Sequence, residues 1–161
     1  MEFDTSSGRY FNSPEVGQAI GQMMTRAGIK TKVVVTPRPV YKPKSRKYEY
    51  AMAFFGWGSD TGEAGNNVKA IFHTIDKKTG SGTTNRGRYS NWGVDTAIDI
   101  AIRTMDKDLR DRRLQDATAI AVSDYGDLPL YFQVNVWASR KGIKYEARAD
   151  EFTLATSARP E

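Results

Sequence analysis

Hydrophobic positions recur first at helical spacing. Val16, Ala19, Ile20, Met23, Met24 and Ala27 lie three and four residues apart, which predicts one apolar stripe on a helix over residues 13–27. Ser13 offers a capping hydroxyl, Pro14 suits the first helical position and Glu15 faces the positive helix end. Gly28 then stops the helix as a left-handed cap residue. The β-branched run at 32–36 predicts a short buried strand. Pro37, Pro39 and Pro43 break regular structure after it, leaving room for a helical turn or two at 40–47. Residues 48–55, aromatic and apolar, predict a second strand that ends at Gly56-Trp57-Gly58.

From Gly56 to Trp92 the chain is rich in glycine and asparagine, with one short helix expected at 67–73. So long an irregular stretch inside a domain points to function or disorder. Val94, Ala97, Ile98, Ala101, Ile102 and Met105 then predict a helix over 93–105. A further helix is expected over 107–125, with Leu114, Ala117, Ile120 and Ala121 inward and its charged residues solvated. Residues 128–132 and 134–138 read as extended. The alternation of strands and helices predicts an α/β layer around a largely parallel sheet. Ligands of such sheets sit off the carboxyl ends of strands, the place taken by the turn after Phe55.

Composition narrows the functions open to this chain. At 161 residues it forms one domain, able to bury about 70% of its unfolded surface. Hydrophobic content of 39% excludes a disordered chain. No apolar run approaches the roughly 20 residues of a membrane span. The absence of cysteine removes disulfides, thiolate metal sites and cysteine nucleophiles, and leaves the redox compartment open. His73 is the single histidine, so a multi-histidine metal site is impossible. Beside Ile71 and Phe72 it reads as a packed or rim residue. Met1-Glu2-Phe3-Asp4 lacks the basic and apolar regions of a signal peptide, as a cytoplasmic chain or a mature or excised piece would.

The net charge is +5, from 24 basic and 19 acidic residues. The densest basic run, Lys42, Lys44, Arg46 and Lys47, is short and reads chiefly as a solvated face. Two stretches carry candidate chemistry. In Gly56-Trp57-Gly58-Ser59-Asp60-Thr61-Gly62-Glu63, glycines permit a sharp turn, the indole of Trp57 supplies a flat apolar wall and Asp60 can accept from a cation. A ligand amino group would suit it, through a charge-assisted bond of about 1.5–3 kcal/mol. The plainer alternative puts Trp57 in the core and Asp60 at a helix cap. In Asn85-Arg86-Gly87-Arg88-Tyr89-Ser90-Asn91, Arg86 and Arg88 could fork onto a carboxylate or phosphate. Alternatively, Ser90 or Asn91 caps the next helix and the arginines are solvated. No phosphate loop, nucleophile elbow or metal-ligand cluster is present, so neither a cofactor nor an enzymatic activity is expected. Asp60 and Glu63 as an acid/base pair would need to share a cleft.

Taken together these motifs resemble the C-terminal lobe of family 5 solute-binding proteins of ABC transporters, the dipeptide, oligopeptide and nickel-binding class. The landmarks are Glu15-Val16-Gly17-Gln18-Ala19-Ile20, Ala27-Gly28-Ile29-Lys30, Gly56-Trp57-Gly58-Ser59-Asp60, Asn85 to Asn91 with Val94-Asp95, Leu128-Pro129-Leu130-Tyr131, and Arg148-Ala149-Asp150-Glu151. Each is weak alone; their order and spacing are specific. The resemblance implies one lobe of a type II periplasmic-binding-protein fold, an α/β lobe with a mixed, mostly parallel sheet flanked by helices, over 1–161. It implies a receptor at the periplasmic or outer face of the cell envelope, closing on a peptide or small solute and delivering it to permease subunits, with no cofactor and no nucleic-acid partner. Asp60 would hold a ligand α-amino group beside Trp57, Gly58 and Ser59. The family's N-terminal lobe has no counterpart here, so the chain reads as an excised half. The alternative is a stand-alone α/β domain gripping an anionic partner, such as nucleic acid, through the 42–47 run and Arg86/Arg88.

Overall fold

The computed structural model describes residues 1–59, 61–148 and 150–161. Two packed units account for most of its buried side chains. The first is a strand–helix–strand–helix run: β1 (Glu2–Ser7), α1 (Ser13–Arg26), β2 (Lys32–Pro37) and α2 (Arg38–Arg46). β1 and β2 pair in parallel, from Glu2 opposite Lys32 to Ser7 opposite Pro37, the geometry that a helical crossover allows. Phe3, Asp4, Thr5 and Ser6 are all buried on β1. β2 is more open than its β-branched sequence predicts, with Val33 and Val34 half-buried and Val35 38% exposed.

Helix α1 reaches this sheet along an unexpected face. Its buried positions are Ser13, Gly17 and Gly21, not the apolar stripe. Val16, Ile20 and Met24 are half-buried and Met23 is 55% exposed. The reason is closeness: a methyl group at Gly17 would lie 2.8 Å from Thr5 Cγ2, and one at Gly21 2.3 Å from Val33 Cγ2. Nor does Ser13 cap the helix. Asn12, at φ 50°, precedes it without a side-chain cap bond, while Ser13 Oγ donates to the Ser6 carbonyl. Gly28 does take the expected left-handed conformation, φ +90°.

The second unit is helical: α3 (Gly65–Phe72), α4 (Trp92–Ile102) and α5 (Lys107–Ser123). Val68, Phe72, Val94, Ile98, Ala101, Leu114, Ala117 and Ala121 form its core. Ile120, expected inward, is 45% exposed. Asn91 caps α4, its side-chain oxygen accepting from the amides of Gly93 and Val94 at 2.9 and 3.3 Å. Asp106 caps α5 through the Leu109 amide.

The strand expected at 48–55 does not form among the described residues. Residues 48–55 contribute only a parallel bridge from Ala53 to Asp4, through Asp4 N–H to the Met52 carbonyl and Phe54 N–H to the Asp4 carbonyl. Tyr48 sits at φ 58°, which interrupts the extension, and Tyr50 stacks on Tyr41 at 4.8 Å. Residues 128–138 find no strand partner, and Phe132, Val134 and Val136 are 99%, 82% and 86% exposed. Beyond them a small antiparallel pair, β3 (Ile143–Tyr145) with β4 (Ala158–Pro160), closes the chain.

Candidate functional site

A cavity of about 550 Å³ opens where the first unit, the turn after Phe55 and residues 150–152 meet. Trp57, Gly58, Ser59 and Arg86 all line it. Trp57 is 49% exposed, and its indole N–H donates to Asn67 Oδ1 at 3.0 Å. One edge of the ring is therefore tied to α3 while the rest faces the opening. Gly56 sits against Tyr10, whose hydroxyl donates to the Gly56 carbonyl at 2.7 Å; a methyl group there would lie 3.0 Å from Tyr10 Cε1. A side chain at position 56 would have to push that ring aside, and Tyr10 in turn sits edge-on against Phe54. The Ser59 hydroxyl donates to the Glu63 carbonyl at 2.8 Å, closing the turn. Asp60, the carboxylate singled out in the sequence, lies outside the described residues.

The two candidate arginines part company. Arg86 is half-buried and lines the cavity. Arg88, at φ 54°, stacks its guanidinium 4.7 Å from the centroid of the Tyr48 ring and is not a lining residue. Buried Asn85 organises this loop: its amide nitrogen donates to the carbonyls of His73 and Tyr89, at 3.1 and 2.7 Å, and its oxygen accepts from the Tyr89 amide at 2.9 Å. Tyr89 and Asn91 converge on Asp124 at 2.9 and 2.8 Å. These bonds, Asn91's foremost, hold the Asp124 carboxyl below its usual range. Of the basic run, Lys42 lines the cavity, while Lys44, Arg46 and Lys47 do not.

Other candidates resolve into structural roles. Glu63 accepts from Arg110 Nε, and that guanidinium also donates to the Thr104 and Met105 carbonyls. Glu63 does not line the cavity. The His73 side chain is packed, with its nitrogens 3.6 Å from Asp95 and Asp99. Tyr10 and Asn67, the residues that hold the tryptophan turn, carry no signal in the sequence, because each contact spans more than nine residues and depends on the fold.

No protein-family model matches the chain, and no curated protein matches it in sequence. Solved structures do match. The chain is similar to Haemophilus influenzae OppA in complex with the peptide RPPGFSPFR, with a TM-score of 0.76 and 18% identity, over 99% of this chain and 30% of that one. It is similar to the periplasmic binding protein DppA from Helicobacter pylori in complex with the peptide STSA, at 0.67 and 22%, covering 78% of this chain and 24% of that one. It is similar also to NikZ from Campylobacter jejuni in complex with Ni(L-His), at 0.65 and 17%, again 78% and 24%. The chain thus has the α/β fold of one part of a periplasmic binding protein, and it spans less than a third of the length of each of these three.

Proposed function

We propose that the chain is a lobe of a family 5 substrate-binding protein, one that binds peptides or related small solutes for an ABC importer. The observation that carries this reading is the half-exposed indole of Trp57 lining a cavity of about 550 Å³, in a fold shared with proteins solved with peptides bound. A volume of that size suits a small ligand. The exposed apolar segment 128–136 is consistent with a second lobe packing there. In the whole receptor, hinge closure would bury the solute between lobes and present it to permease subunits at the outer face of the membrane. On this reading the activity is binding rather than catalysis, as the similarity to binding proteins supports.

On this reading Trp57 is a wall and Asp60 the acceptor for a ligand α-amino group. Their test is an NMR titration of the chain with Ala-Ala-Ala and with its N-acetylated form. Wild type should bind the free-amino peptide roughly ten-fold more tightly, the worth of one charge-assisted bond. Asp60→Asn should erase that difference, and Trp57→Ala should weaken both peptides. Equal binding of the two peptides by wild type would remove Asp60 from the site.

The second reading, an anionic macromolecular partner, loses part of its surface. Lys42 faces the cavity and Arg88 is engaged on Tyr48, so the basic residues do not share one open face.

A further inference from the structure

We propose that the cavity selects solutes carrying excess negative charge, above all peptides with an acidic side chain. The inference rests on the solute-binding reading and adds the charge of the ligand to it. Arg9, Arg38, Lys42 and Arg86 line the cavity. Among the described residues none of the four makes an ion pair. Two acids also line it, but Asp150 is neutralised by Arg148, whose Nε lies 2.8 Å from Oδ1, leaving Glu151. Counting Asp60, next to Ser59 in sequence, as a further carboxylate still leaves the balance positive.

The placement of the cations strengthens the point. Arg38 and Lys42 stand four residues apart on α2, the spacing that puts two like charges on one helix face at a cost of a few tenths of a kcal/mol. Arg38 also occupies the first turn of α2, which contains no acid, against the preference of a helix N-terminus for negative charge. An anion docked there relieves both conflicts. The same wall carries Tyr10, Phe55 and Trp57, apolar surface beside the cations that lowers the local dielectric below that of open solvent and strengthens each charge–charge contact. Ligand carboxylates are the groups a guanidinium fork and an ammonium recognise together.

The test is an NMR titration of this chain with Ala-Glu-Ala, Ala-Gln-Ala and Ala-Lys-Ala, peptides equal in length whose central side chain is negative, neutral or positive. Ala-Glu-Ala should bind about five-fold or more tightly than Ala-Gln-Ala, with Ala-Lys-Ala weakest, and the spread should narrow as salt is added. Shifts should centre on residues 38–42, 57–59 and 86. The double variant Arg38→Gln/Lys42→Gln should bring Ala-Glu-Ala and Ala-Gln-Ala within about two-fold of each other, a loss of preference that a fold defect would not mimic. Equal affinities, or a preference for Ala-Lys-Ala, overturn the charge claim while leaving solute binding intact. Should succinate bind at these residues and no tripeptide do so, the anion preference stands and the peptide reading falls. If neither succinate nor any tripeptide perturbs them, both fall.

Discussion

Trp57 shows how one side chain is placed between core and solvent. Its apolar ring would be drawn inward by the hydrophobic effect, yet the flanking glycines bring no side chains to cover it, and the single N–H finds its acceptor on α3. Half the ring remains available, as a binding wall needs. Tyrosines behave differently. Tyr41 is buried with its hydroxyl donating to the Phe54 carbonyl at 2.9 Å, and burial pushes its pKa up. Burial also raises Tyr50 and Tyr89, each to about 12, with Asp124 contributing at Tyr89. Because these folded values exceed the ordinary value near 10, the stability they contribute is complete below about pH 10. It drains away as pH rises from about 10 toward 12. A spectrophotometric titration of the native chain should therefore show part of the tyrosine ionisation delayed to about pH 12, with alkaline unfolding overlapping it. In denaturant the delayed fraction should collapse onto the ordinary value. Tyrosines that all ionise near 10 in the native chain would contradict this packing.

At the scale of elements, periodicity located α1, α4 and α5 within a few residues of their ends, since helix capping and apolar spacing are local properties. It misjudged which face of α1 is buried. A stripe of valine, isoleucine and methionine marks an apolar helix face, but the sheet is met by Gly17 and Gly21 because only absent side chains allow so close an approach. Gly21→Ala should accordingly destabilise the chain. Ordinarily alanine would gain about 1 kcal/mol in helix propensity over glycine. Here the added methyl meets Val33 Cγ2, and overpacking of about 1–3 kcal/mol outweighs that gain. Thermal unfolding followed by circular dichroism reads the outcome, and an unchanged or higher midpoint would show that the helix can move away. The strand expected at 48–55 was misjudged for the converse reason. β-Propensity describes a surface fit to be paired, and pairing needs a neighbour that no local pattern can supply.

For the whole molecule, the tryptophan turn, the first strand–helix unit and residues 150–152 converge on one cavity although they are distant in sequence. That cavity is neither sealed nor flat. On the proposed reading a second lobe completes this cavity in the whole receptor, so this chain alone should bind tripeptides only weakly. Calorimetry should find dissociation constants in the millimolar range; a sub-micromolar constant would mean that the cavity is already complete. The order of the elements, the glycine–tryptophan turn and the resemblance they carry were all legible in the sequence. So was the capping of α4 by Asn91, one of two alternatives open there. Each of these depends on neighbours a few residues away. Which cations face the cavity was not legible: Arg86 and Arg88 differ by two positions, yet one reaches the opening and the other rests on Tyr48. The left-handed turn at Arg88 and the buried amide of Asn85 make that division. Local sequence thus determined the helices and the turn, because backbone preference and spacing act over a few residues. Only the tertiary structure decided which charges share a wall, because that depends on segments brought together across the chain.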